Sequence, residues 1–238
     1  MELMEKVRTR VYKFGNKQTD GNSKMKNLLG GKGANLAEMS AIGIPVPPGF
    51  TITTEVCTEY NELGREQVVE MIHDEVVDAI KNIENQMGSK FGDNENPLLI
   101  SVRSGARVSM PGMMDTVLNL GLNDEAVIGL AKKTNNERFA WDSYRRFVQM
   151  YGGVVLGMKP ESKDDIDPFE EIMEKLKEER GIHLDTDFTT YDLKYLVQRF
   201  KEAIKFRRGV EFPDNPWDQL WGAIMGVFVS WNGNSAGY

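Results

Sequence analysis

The sequence has few of the residues that mark disulfides and metal sites. Among its 238 residues are one cysteine, Cys57, and two histidines, His73 and His183. A single cysteine excludes an intrachain disulfide, and neither histidine falls in a spacing that is typical of a metal site. We therefore predict no metal ligands in this chain, a packing role for Cys57 in a short helix, and structural or exposed positions for both histidines.

Long apolar runs and an excess of basic residues are lacking as well. No run of about 18 apolar residues and no basic, apolar leader is present, so neither export nor membrane insertion is indicated. The 36 acidic and 29 basic residues give a net charge of −7, which argues against a general nucleic-acid or anionic-membrane surface. With 40% hydrophobic residues the chain can build a core. We expect a folded, soluble protein of the cytoplasm, or of an organelle matrix, that binds neither nucleic acid nor membranes.

What the sequence does contain is a periodicity typical of an α+β protein. Strands are predicted at 11–14, as an edge strand, at 50–53, and at 97–102, as a buried strand. Helices are predicted at 34–42, 53–60, 66–87, 124–132, 137–156, 168–179, 191–207 and 216–231. These elements suggest a mixed α/β subdomain, 1–122 with 210–238, and a helical subdomain, 123–209.

The stretch 101–116 carries the strongest chemical signal, because a short apolar run opens into a loop with arginine, glycine and proline. Arg103 leaves the strand first, and its rigid guanidinium can bind phosphate oxygens through two hydrogen bonds. Arg107 either contacts the same ligand or pairs with an acid such as Asp115. Residues 110–114 combine a proline, a glycine and methionines, which suits a lid over phosphates and also suits a loop buried through its methionines.

A second anion-binding signal lies at 27–39, where Lys32 is flanked by Gly30, Gly31 and Gly33 just before a helical pattern. Glycines let the backbone approach a ligand, and a helix N-terminus attracts anions. The loop is not a Walker A motif, because Ala34 replaces the hydroxyl that binds Mg²⁺ and the first glycine is wrongly spaced. Taken alone, it fits a flexible turn better than a phosphate site. The two positive loops together indicate a nucleotide polyphosphate.

The helical segment 139–150 contributes mainly to the core. The predicted core face consists of Phe139, Tyr144 or Ser143, Phe147 and Met150. Arg145 and Arg146 are adjacent and project about 100° apart, so only one of them can readily turn toward an active cleft. Judged in isolation, a solvated salt bridge is the default for either arginine.

Four motifs together resemble the pyruvate phosphate dikinase family, in its N-terminal nucleotide-binding region of the ATP-grasp type. They are 27–39, 47–51 (Pro-Pro-Gly-Phe-Thr), 101–124 with Met-Pro-Gly-Met-Met-Asp-Thr, and 138–146 (Arg-Phe-Ala-Trp-Asp-Ser-Tyr-Arg-Arg). These motifs are long and specific, and the resemblance covers the chain to about residue 231. The related phosphoenolpyruvate synthases use water as second phosphoryl acceptor. They are similar around the glycine-lysine loop and Val-Arg-Ser but typically lack the Met-Pro-Gly-Met-Met-Asp-Thr stretch.

The resemblance implies an enzyme that converts ATP, phosphate and pyruvate to AMP, pyrophosphate and phosphoenolpyruvate through a phosphohistidine on a swivelling domain. It places Lys32 and Arg103 on the ATP phosphates, Gly112 in the loop that closes over them, and Arg146 as a further phosphate-side arginine. Together with the loop interpretation, the expected ATP-binding residues are Gly30, Gly31, Lys32, Gly33, Arg103, Arg107, Gly112 and Thr116. Arg103 and Arg146 are the expected catalytic residues, and Mg²⁺ ligands are expected outside this chain.

Family members are several times longer, so the resemblance also implies that this chain is the first part of such an enzyme. The second half of the ATP-grasp fold, the histidine carrier and the pyruvate-binding barrel would lie elsewhere. The isolated chain would then bind ATP weakly without completing catalysis, and the parent enzyme is expected to be a homo-oligomer. Two alternatives stay open: a truncated, non-catalytic nucleotide-binding or regulatory module, and a relative of the water-using synthase.

The last predicted helix, 216–231, is rich in aromatic residues. With the other half of the fold absent, we expect its apolar side chains to be exposed and to promote self-association. The residues concerned are Trp217, Trp221, Phe228 and Trp231.

Overall fold

The structure, a computed structural model, describes residues 8–105 and 116–235. Within these residues, eight α-helices, one short 3₁₀ helix and five strands form the α+β fold that the periodicity predicted. They divide into two compact units. The described residues of the first unit are 8–88, 104–105 and 231–235, and those of the second are 89–103 and 116–230.

The first unit contains an antiparallel sheet in the order β2-β1-β3. β1 is Val11–Gly15, β2 is Gln18–Thr19 and β3 is Gly49–Ile52. Because β1 pairs with both of its neighbours, the prediction of an edge strand at 11–14 was wrong. The missed strand β2 follows a two-residue turn in which Asn16 and Lys17 both have positive φ. A lysine at such a position gives no sequence signal for a tight hairpin.

Three helices complete the first unit: α1 is Lys26–Ala41, α2 is Thr54–Leu63 and α3 is Arg65–Met87. The predicted helices at 53–60 and 66–87 are thereby confirmed. The carboxylate of Glu75 in α3 accepts hydrogen bonds from the backbone N–H groups of Arg10 and Val11, at 3.1 and 3.0 Å, and so holds α3 against β1. Cys57 is buried in α2, and burial raises the pKa of its thiol to about 12. A thiol that stays protonated fits the predicted packing role.

The second unit begins with a hairpin of β4, Ile100–Arg103, and β5, Thr116–Leu120. The predicted strand at 97–102 begins later, and its residues alternate between half-buried and exposed. It is therefore not a buried strand, since an antiparallel hairpin can leave one face to solvent. β5 was not predicted. It contains Asn119 at positive φ, inside a bulge where two residues of β5 lie opposite one of β4.

Five helices follow the hairpin, close to their predicted positions: α4 is Ala126–Thr134, α5 is Glu137–Val154, α6 is Pro168–Arg180, α7 is Thr190–Arg208 and α8 is Pro216–Ser235. Their starts follow from side-chain caps. The side chains of Asn136, Asp167 and Thr189 accept backbone hydrogen bonds at the N-termini of α5, α6 and α7. A 3₁₀ helix, Asp185–Asp187, connects α6 to α7.

The core of the second unit is aromatic. Phe147, Tyr151 and Phe212 pack edge-on, with ring centroids 5.4 to 6.0 Å apart. Phe147 was correctly predicted to lie in this core. Phe139 was wrongly predicted there: it lies in the first turn of α5 and is 50% exposed. Periodicity alone does not show where along a helix the core ends.

The boundaries of the compact units differ from the predicted subdomain boundaries. β5 and α8 up to Ser230 group with α4–α7 in the second unit. Asn119 of β5 donates a hydrogen bond to the Ser143 carbonyl of α5 at 3.2 Å. Gln219 of α8 accepts a hydrogen bond from the Gly121 N–H, just after β5, at 2.9 Å. The division into 1–122 with 210–238 and 123–209 stays a prediction for the complete nucleotide-binding domain.

The expectation that α8 exposes its aromatic side chains is corrected by the structure. Phe228 is buried, and Trp217, Trp221 and Trp231 are half-buried. Trp217 packs edge-on against Phe91 at 5.4 Å. Much of the α8 surface is therefore covered by the chain itself, which removes the argument for self-association through these residues. Among the helices described, none has the length and apolarity needed to cross a membrane.

Candidate functional site

The glycine-lysine segment forms part of a kinked helix. Gly30 has φ 72° and ψ 169° and interrupts α1, so that a second helical segment begins at Gly31. The predicted helix at 34–42 is present within α1, but its start after the glycines was wrong, since Gly31, Lys32 and Gly33 form its first turn. The first N–H groups of a helical segment have no acceptor within that segment. A helix start with a lysine in its first turn is typical of anion-binding sites.

Two of these glycines are required by close contacts. A Cβ on Gly33 would lie 2.9 Å from the Thr51 side chain, so the absence of a side chain lets this turn pack on β3. A Cβ on Gly30 would lie only 2.3 Å from the carbonyl oxygen of Gly105. The start of the helical segment thus lies against the backbone that follows Arg103 and Ser104 in the chain. The two loops that the sequence singled out meet at this contact.

Arg103 and Thr116 lie directly opposite each other at the end of the β4–β5 hairpin where its connecting loop begins. Opposed residues of an antiparallel pair project to the same face, with Cβ atoms about 5 Å apart. The Arg103 residue is exposed, and no side-chain hydrogen bond or ion pair of Arg103 occurs within 8–105 and 116–235. The Arg103 side chain therefore projects to the same face of the hairpin as the Thr116 side chain. The sequence suggested Arg103 but gave no indication of its pairing with Thr116.

Asp142 separates the roles of the two adjacent arginines of α5. Its Oδ1 lies 2.7 Å from a terminal nitrogen of Arg145, and its Oδ2 lies 3.2 Å from Nε of Arg146. Arg145 is buried and also donates to Gln149 at 3.1 Å, whereas the Arg146 side chain is 57% exposed. Arg145 is therefore structural, and Arg146 is the arginine that can reach a ligand. Asp142 was missed, although its spacings of three and four residues from the arginines are typical of helical ion pairs.

Replacing Asp142 is expected to cost far more stability than replacing Arg146. Asp142→Ala leaves the Arg145 guanidinium buried without its counter-charge and should lower the free energy of unfolding by about 3 kcal/mol. Arg146→Met keeps the buried pair and removes only an exposed one, which is worth about 0.5 kcal/mol. Urea unfolding of the two variants measures both values. Equal losses would show that the Asp142–Arg145 pair is not the structural interaction.

Two of the predicted site residues cannot be compared with the structure. Arg107 and Gly112 lie outside the described residues. The structure places Lys32 in the first unit and Arg103, Thr116 and Arg146 in the second. Within the described part of the chain, no group of three or more histidine, cysteine, aspartate or glutamate side chains is arranged to hold a metal ion.

Comparison with known proteins supplies the family. The family of the pyruvate phosphate dikinase AMP/ATP-binding domain matches this chain over residues 26–76 and 66–238. The chain belongs to this family. The match to the pyruvate phosphate dikinase domain spans all four motifs of the sequence analysis and every predicted site residue.

Named dikinases are similar to the chain over nearly its whole length. The pyruvate, phosphate dikinase of Clostridium symbiosum is 57% identical over 223 residues, which make up 93% of this chain and 24% of that protein. The chloroplastic enzyme of Mesembryanthemum crystallinum is 53% identical, over 94% of this chain and 23% of that protein. The enzyme of Rhizobium meliloti is 51% identical, over 93% of this chain and 24% of that protein. The chain thus spans about a quarter of the length of these dikinases.

Proposed function

We propose that this chain is the ATP-binding part of a pyruvate phosphate dikinase and that it binds the triphosphate of ATP. The observation that carries the proposal is the contact between Gly30 and Gly105. It brings the backbone that follows Arg103 and Ser104 to the first turn of the helical segment that contains Lys32. Backbone N–H groups and a lysine ammonium at one helix start form a site suited to phosphate.

Side chains of the second unit are also suited to bind phosphate. Arg103 offers a planar fork of donors beside Thr116, and Arg146 offers a second exposed guanidinium. Phosphoryl transfer depends on charge neutralisation and positioning more than on covalent chemistry by the nucleotide site. Lysine, arginine and backbone N–H donors each supply such neutralisation. Arg103 and Arg146 are accordingly the catalytic residues that we propose within this chain.

The reaction of the complete enzyme follows from the family. It would convert ATP, phosphate and pyruvate to AMP, pyrophosphate and phosphoenolpyruvate through a phosphohistidine, with the other steps carried out outside this chain. The named relatives are phosphate dikinases, which favours phosphate over water as the second acceptor. Mg²⁺ would be bound by groups outside this chain. A cytoplasmic homo-oligomer is the corresponding proposal for the whole protein.

Removing either cation is expected to weaken ATP binding. Lys32→Met and Arg103→Met should each raise the dissociation constant about tenfold or more, because a hydrogen bond to a charged group contributes roughly 1.5–3 kcal/mol. Lys26→Met and Arg207→Met are the matched controls, since both residues are exposed and lie on α1 and α7. Isothermal titration of the chain with Mg-ATP measures all five proteins.

The same titration tests the proposal as a whole. We expect the unchanged chain to bind Mg-ATP with a dissociation constant above 1 μM, because the Mg²⁺-binding carboxylates lie elsewhere. No saturable binding, or equal losses in the test and control variants, would contradict the assignment of the phosphate site. Submicromolar binding would contradict the inference that part of the clamp is missing.

A further inference from the structure

One buried hydroxyl of the first unit has no partner where the two loops meet. Ser104 is 5% exposed, and its Oγ has no hydrogen-bond partner among the described residues. A buried hydroxyl that makes no hydrogen bond is unfavourable, because folding removes it from water without replacing its interactions. Such a group in a native fold calls for an explanation. A bound ligand would supply the missing partner of the Ser104 hydroxyl and would also account for the position of Ser104 in the fold.

The position of Ser104 is fixed by the residue that follows it. The carbonyl oxygen of Gly105 occupies the space that a Cβ on Gly30 would need, and the Leu29 carbonyl lies 3.8 Å from the Cβ position of Gly105. Residues 104–105 therefore lie against the kink of α1. Ser104 directly precedes the residue whose carbonyl lies at the start of the helical segment that contains Lys32.

Thr53 carries a second buried hydroxyl, at the junction of β3 and α2. Oγ1 of Thr53 is also buried and without a partner among the described residues. Thr53 precedes α2, where its carbonyl accepts from the Val56 N–H at 3.1 Å and its N–H donates to the Arg10 carbonyl at 3.0 Å. Its backbone bonds join the end of β3 to β1 and to α2. The carbonyl that contacts the kink at Gly30 belongs to Gly105, the residue next to Ser104.

We propose that Ser104 is a further phosphate-binding residue of the ATP site, whose hydroxyl donates a hydrogen bond to a phosphate oxygen held at the start of the second segment of α1. This inference rests on the proposed function and deepens it. The hydroxyl adds no charge, so its contribution is directional: it orients a phosphate group whose charge Lys32 and the helix N-terminus compensate.

Titration of the Ser104→Ala chain with Mg-ATP and, separately, with inorganic tripolyphosphate tests the proposal. We expect about tenfold weaker binding of both ligands, because the lost bond joins a neutral donor to a charged acceptor. The melting temperature without ligand should stay the same or rise, since the variant removes an unpartnered buried hydroxyl. Thr53→Val, which removes the other such hydroxyl, should bind both ligands like the unchanged chain.

Each result decides between the two proposals. Unchanged affinity in Ser104→Ala, combined with weakened binding in Lys32→Met, overturns the role of Ser104 and leaves the proposed function intact. Equal losses in Ser104→Ala and Thr53→Val, or a fall of several degrees in the Ser104→Ala melting temperature, would assign the effect to structure and also overturn it. Absence of ATP binding by the unchanged chain overturns the proposed function and this inference together.

Discussion

An alanine at position 30 is expected to abolish measurable ATP binding and to destabilise the first unit. The Gly30 backbone, at φ 72° and ψ 169°, lies in a region that is essentially confined to glycine, and a Cβ there would lie 2.3 Å from the Gly105 carbonyl oxygen. Strain of this kind costs about 1–3 kcal/mol before any clash is counted. The clash adds to it, because the obstructing atom belongs to the backbone and can move only if the loop moves. We expect Gly30→Ala to lose about 3 kcal/mol or more of unfolding free energy.

Gly64→Ala separates the strain from the contact. Gly64 lies between α2 and α3 with nearly the same backbone conformation, φ 83° and ψ 175°, and no atom lies within 4 Å of its Cβ position. It should lose about 1–3 kcal/mol from strain alone and bind ATP normally. Urea unfolding and Mg-ATP titration of both variants make the comparison. Equal stability and equal binding in the two variants would show that the Gly30–Gly105 contact does not shape the site.

The helices were predictable because their periodicity and capping residues are local. The stripe of buried residues in α3 and the caps Asn136, Asp167 and Thr189 can all be recognised within a few residues of sequence. The kink at Gly30 was not predictable in the same way. Its cause is a contact with Gly105, which is 75 positions away in the chain. A glycine next to a helical pattern fits an N-terminal loop as well as a kink.

The candidate site shows the same division between local and distant information. Arg103 and Lys32 stood out because charge and glycine content are visible in a short window. Neither the pairing of Arg103 with Thr116 nor the burial of Ser104 can be read from such a window, because the first depends on strand register and the second on packing against α1. Only the resemblance singled out Arg146. The structure adds that Arg145, the buried partner of Asp142, is held in the core while the neighbouring Arg146 is left exposed.

Replacing Gln219 by leucine is expected to cause the largest loss of stability in the second unit. Gln219 is 0% exposed and joins three backbone groups: its Oε1 accepts from the Gly121 N–H at 2.9 Å, and its Nε2 donates to the carbonyls of Leu122 and Pro213 at 2.9 and 2.7 Å. Leucine has a similar size but leaves all three groups buried without that partner. Each such group costs about 1–3 kcal/mol, so we expect a total loss of about 3 kcal/mol or more.

Gln198→Leu is the matched control, because Gln198 is exposed on α7 and bonds only the side chain of Glu202 among the interactions of the described residues, at 3.3 Å. A surface change of this kind should alter the free energy of unfolding by less than about 0.5 kcal/mol. Urea unfolding followed by tryptophan fluorescence reports both variants, since Trp217 and Trp221 lie on α8 beside Gln219. A loss below about 1 kcal/mol for Gln219→Leu would mean that the three backbone groups find other partners, and that the join between the hairpin end and α8 does not depend on this side chain.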